Sequence, residues 1–178
     1  MFGTLAVTWG LAGIGVLLGQ AIYRLTLISL AGLSMPLHWY HWAAMAGWAL
    51  FMAYSEGYRG FQRSFSPRVA ARAAYLRRHP TVLRALLAPL FCMGYFHIER
   101  RWQIVVISIT LVVIGFIIGA HYLPQPWRGI VDLGVVIGLA WGLVALGIFT
   151  VQAFNGRLSY APAVPSGGVD TDPGGQAK

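Results

Sequence analysis

Long apolar runs alternate in this chain with one dense block of positive charge, and that alternation excludes most folds. Residues 5–23, 38–57, 102–122 and 130–154 are apolar. At about 1.5 Å per helical residue, each is long enough to cross a hydrocarbon core of roughly 30 Å. Between the second and third runs stand nine of the thirteen basic residues: Arg59, Arg63, Arg68, Arg72, Arg77, Arg78, Arg84, Arg100 and Arg101. An excess of Arg and Lys in a short loop marks the cytoplasmic side of a membrane protein. The pattern therefore predicts an all-α integral membrane protein: a four-helix transmembrane bundle with an Arg-rich cytoplasmic loop and both termini cytoplasmic.

Composition agrees. With 57% hydrophobic and 10% charged residues and a mean hydropathy of +0.64, the chain is too apolar for a soluble domain of 178 residues. A net charge of +8 would suggest nucleic acid in a soluble protein, but here it abuts a membrane surface, so anionic phospholipid is the expected counter-charge. Lys178 is the one lysine. That arginine bias suggests GC-rich coding, a bacterial host and hence the inner membrane. The opening MFGTLAVTWG has neither a basic n-region nor a cleavage site, so the first run is expected to be kept as a span. Cys92, alone, is read as a packed thiol.

Inside the basic loop, Ser66-Pro67 reads as a helix start, leading into an amphipathic helix over residues 67–78. Its Val69, Ala73 and Leu76 share one face and Arg68 and Arg72 another, which predicts a helix lying on the membrane surface. Residues 81–97 are apolar, yet an arginine pair stands at each end and Arg84 and Pro89 lie within. An interfacial or shallow re-entrant helix is expected there rather than a fifth span. Residues 156–178, rich in Gly, Pro, Ser and Asp, read as a disordered cytoplasmic tail.

Three constellations could carry function. The outer helix ends gather Arg24, His38, His41, His121 and Asp132, and the HxxH spacing puts His38 and His41 nearly on one helix face. The two histidines, His121 and Asp132 are candidate ligands for a metal or haem, although an interfacial belt of aromatic and imidazole rings explains HWYHW as well. Candidate ion pairs are Arg24 with Asp132, Glu56 with Arg100 or Arg101, and Glu99 with Arg59 or Arg63. Glycines at four-residue intervals, Gly15 and Gly19, Gly115 and Gly119, and Gly134, Gly138 and Gly142, are close-approach faces for this bundle or for another chain.

No nucleotide-binding loop, dinucleotide fingerprint, nucleophile elbow or CxxC is present. The reading that uses every strong feature is a non-enzymatic accessory, assembly or scaffold protein. It would act through helix association, with other subunits or with itself, and through its basic loop. No cofactor is expected on that reading. The alternatives are a haem- or metal-binding redox subunit with ligands at the outer helix ends, and a small channel or transporter built from several copies.

Overall fold

The computed structural model describes residues 1–156, and all the regular secondary structure among them is helical. The expected tail, apart from Gly156, lies outside the described residues. Three helices are long and apolar enough to cross a membrane: α1 (Phe2–Leu33), α6 (Arg100–His121) and α7 (Trp127–Phe154). Between α1 and α6 come α2 (Trp39–Met52), a π-helical segment (Ala53–Phe65), α3 (Ser66–Arg78) and two short helices, α4 (Val82–Leu86) and α5 (Ala88–Met93).

From Trp39 to Arg78 the chain is one uninterrupted helical run, and it tracks α7 along its whole length in the same direction. His41 meets Trp127 at one end, Trp48 donates its indole N–H to the Val131 carbonyl (3.0 Å), and Arg77 lies over the Phe154 ring at the other end. The close approach rests on the α7 glycines. A Cβ on Gly134 would collide with Trp48, one on Gly142 with Phe61, and one on Gly138 would stand 2.7 Å from the Glu56 carboxylate. α1 runs antiparallel to both, crossing α7 where Gly32 faces Gly129 and reaching Arg77 at Gly3. The glycine spacing on α7 is thus consumed inside the molecule.

The π winding has a reason in the same contact. Its i→i+5 bonding gives each turn more than four residues instead of 3.6. That keeps Met52, Glu56, Gly57 and Phe61 on α7 in succession. An α-helical continuation would rotate Arg59 and Arg63 towards α7 and Phe61 away. As wound, both arginines are exposed.

Ser66-Pro67 opens α3, with Pro67 in its first turn, but it does so within a continuous run, as the return from π to α winding, with Phe65 rather than Ser66 in the cap position. The Ser66 hydroxyl is buried without a hydrogen-bond partner among the described residues. α1, α5 and α7 all pack against α3. Val69, Ala73 and Leu76 join Ala6, Val7, Ile14, Phe91, Cys92 and Leu146 in the apolar core. Residues 81–97 fold into α4 and α5 and turn back at Gly94, whose φ of 91° is the left-handed cap that glycine adopts without strain.

α6 stands apart. It meets the remainder through Tyr95–Thr110, the Gln103 side chain on the Tyr95 carbonyl, Arg68 over Trp102, and Phe116 against Trp48. No residue of its most apolar stretch is buried.

Candidate functional site

At the histidine end the structure divides the expected ligand set in two. His38 and His41 open α2, where the His41 Nδ1 accepts the His38 backbone N–H (3.0 Å). This is one half of a reciprocal capping box, satisfying N–H groups that a helix start leaves open. His41 is only 5% exposed and packs against Tyr40 and Trp127. His121 and Asp132 lie elsewhere, lining a cavity of about 70 Å³ between α1, α6 and α7 together with Arg128 and Leu25. Among the described residues no three His, Cys, Asp or Glu side chains come together as a metal site.

Arg128 sits one turn before Asp132 on α7 and pairs with it, Nε to Oδ2, at 3.8 Å, beyond hydrogen-bond reach, so that neither atom has a hydrogen-bond partner among the described residues. Asp132 is 4% exposed, so a carboxylate held there is balanced by that cation rather than by Arg24, which is exposed on α1. Sequence reasoning missed Arg128, although the i,i+4 spacing that brings the two together was visible.

Glu56 and Glu99 do not clasp the arginines. Glu99 is exposed ahead of α6, and the Glu56 Oε2 is buried beside Gly138 with no hydrogen-bond partner among the described residues. An unpaired polar group packed into a helix interface is costly, which makes Glu56 a functional candidate that charge pairing alone could not reveal.

Arg72 is the second departure. Expected on a polar face, it is 1% exposed inside the core. Its Nε donates to the Phe91 carbonyl (2.7 Å), Nη2 to that of Phe96 (2.8 Å) and Nη1 to that of His97 (3.2 Å), and its guanidinium lies 4.2 Å from the Phe91 ring centroid. These carbonyls belong to the end of α5 and the turn after it; that of Phe91 also accepts the Gly94 N–H, and those of Phe96 and His97 lie past the helix, where no helical N–H reaches them. His97 has a φ of 51°, unusual for a residue with a side chain, and its carbonyl is held by this arginine. Burial brings the Arg72 pKa down to about 10, so it stays cationic at neutral pH.

The other arginines form the basic end. Arg59, Arg63, Arg77, Arg78, Arg100 and Arg101 are exposed. Arg68 is half-buried, donating to the Ser64 carbonyl (2.8 Å), and Arg84 lies over the rings of Tyr75 and Phe91. Beside them α4 and α5 expose Val82, Leu83, Leu86 and Leu90, next to Leu5 and Trp9 of α1. Trp9 donates its indole N–H to the Leu86 carbonyl (3.3 Å). Exposed apolar side chains and exposed arginines therefore occur together on these neighbouring segments. No protein-family model, curated protein or solved structure matches the chain.

Proposed function

We propose that the chain is a four-crossing protein of the bacterial inner membrane, residues 38–57 (α2 and the first turn of the π segment) supplying the crossing between α1 and α6, with both termini and the basic end cytoplasmic. On this reading it is a non-enzymatic accessory, assembly or scaffold subunit that works by association. The observation that carries the reading is the contrast between two glycine faces. Gly134, Gly138 and Gly142 of α7 are filled by Trp48, Glu56 and Phe61, whereas Gly115 and Gly119 of α6 have no other described residue within 4 Å. α6 is a membrane-length helix with an open small-residue face, the feature by which transmembrane helices approach one another closely. Its occupant is another subunit or a second copy.

Native mass spectrometry of the protein gently extracted from its host membrane tests this. A particle containing other subunits, or several copies, is expected. A bare monomer under conditions that keep a known membrane complex of that host intact would refute association.

A further inference from the structure

A groove of about 490 Å³ opens at the basic end between the first turns of α1 and the ends of α3 and α7. Its size falls within the range of roughly 300–1,000 Å³ found for small-molecule sites. Thr4 and Thr8 stand at the mouth, Val7, Leu11 and Ala12 form an apolar bed, and Arg77 and Phe154 close the far side. The Arg77 guanidinium lies 5.4 Å from the centre of the Phe154 ring. Stacking of that kind uses the guanidinium face and leaves its edge, with N–H groups in the fork that matches phosphate oxygens, open for a ligand. No hydrogen bond of the Arg77 side chain is made to another described residue. Thr8 donates its hydroxyl to the Thr4 carbonyl (3.0 Å), which leaves its oxygen free to accept.

The bed does not stop at Ala12. Thr4, Thr8, Ala12, Gly15 and Gly19 follow one another at steps of three or four, so they share one face of α1. Gly15 and Gly19 have nothing within 4 Å. From Thr8 to Gly19 the helix rises about 16 Å, close to half of a hydrocarbon core of roughly 30 Å, the depth of one leaflet. A cationic mouth opening onto a shallow apolar track one leaflet deep is the complement of a phosphate carrying an acyl chain.

We propose that this groove binds one anionic glycerophospholipid of the leaflet at the basic end, with its phosphate on Arg77 and an acyl chain along Ala12, Gly15 and Gly19. The inference rests on the membrane reading above, and it adds a single defined site to the general attraction between exposed arginines and an anionic surface.

The test is native mass spectrometry of the full-length protein in neutral detergent, titrated with dioleoyl phosphatidylglycerol or dioleoyl phosphatidylcholine. One phosphatidylglycerol per chain is expected to survive activation that strips the phosphatidylcholine. Arg77→Gln should weaken retention about tenfold or more, the loss of one charge-assisted contact. Ala12→Phe, which fills the bed at an exposed position, should do the same with every arginine intact. Arg78→Gln, one residue away and outside the groove, should leave retention unchanged. Equal retention of the two lipids, equal weakening by Arg77→Gln and Arg78→Gln, or undiminished binding in Ala12→Phe would each overturn the site. So would displacement of the lipid by inorganic phosphate alone, which would remove the acyl half of the proposal. Arg77→Lys, expected to bind better than Arg77→Gln, checks that a lost signal is not lost folding. None of these outcomes bears on whether partner subunits travel with the protein, so the two readings fail separately.

Discussion

Arg72 shows what a single buried cation does for this fold. In a cluster that includes Val69, Ala73, Leu76 and Phe91, a guanidinium is tolerated only because carbonyl oxygens meet it, those of Phe91, Phe96 and His97. Without it the Phe96 and His97 carbonyls would lose the donor that meets them, while the Phe91 carbonyl would keep the Gly94 N–H. Arg72→Met should therefore destabilise the folded protein by about 3 kcal/mol or more, from lost charged hydrogen bonds worth roughly 1.5–3 kcal/mol each and acceptors left bare. The measurement is thermal or denaturant unfolding in detergent, with limited proteolysis across residues 81–97 as a local readout. A variant with wild-type stability and no new cleavage would show that α5 and its turn are held by something else. The burial of Arg72 was illegible in the sequence because α3 has a polar face only when seen alone, and that face is covered by α5, a neighbour that periodicity cannot reveal. By contrast, the Arg128–Asp132 pair and the aromatic, histidine-bearing start of α2 are local features, fixed by residues three or four apart.

At the scale of elements, two glycine faces of similar spacing have opposite fates, and that difference can be measured. Gly134 lies where any Cβ would meet the Trp48 indole, so Gly134→Leu must force α2 away from α7. Overpacking of this kind costs typically about 1–3 kcal/mol. Gly115 on α6 faces open space. Gly115→Leu should leave the isolated chain's stability within about 0.5 kcal/mol or raise it, since glycine is the poorer helix former. Association with a partner should nonetheless be lost in that variant and retained in wild type, as read by co-purification and unfolding of both proteins side by side. If Gly115→Leu still associates, the α6 face is not the contact. The α7 glycine stripe was legible as a close-approach face, and three of the apolar runs were legible as membrane-length helices. Which stripe closes the molecule itself was not, because that depends on the π winding of Ala53–Phe65. Read at 3.6 residues per turn, its sequence turns Arg59 and Arg63 towards α7. Only the fit to the α7 glycines favours the wider turn.

The whole molecule is longer on one side than a membrane requires. α1, with 32 residues, and α7, with 28, measure about 48 and 42 Å at 1.5 Å per residue, against about 33 Å for the 22 residues of α6. Arg68 over the Trp102 ring sets the beginning of α6 beside the beginning of α3. The first turns of α1, the last of α7 and all of α3 therefore project past α6 at the basic end, and α4 and α5 pack there. If the basic end is cytoplasmic, as the arginine excess argues, this projection forms a cytoplasmic cap whose core surrounds Arg72 and Cys92. Sidedness can be read with cysteine chemistry, because Cys92 should be silent. It is 1% exposed, and burial pushes its thiol up to about 12, so little thiolate forms at neutral pH. Wild-type protein should resist N-ethylmaleimide until it is denatured. In that background, Met35→Cys and His79→Cys place thiols at exposed positions at opposite ends of the Trp39–Arg78 run. With an impermeant maleimide on intact cells, Met35→Cys should label and His79→Cys should label only after the membrane is opened. The reverse pattern would put the arginines outside and remove the cytoplasmic leaflet as their counter-charge. Labelling of wild-type Cys92 in the folded protein would contradict the packing of the cap itself.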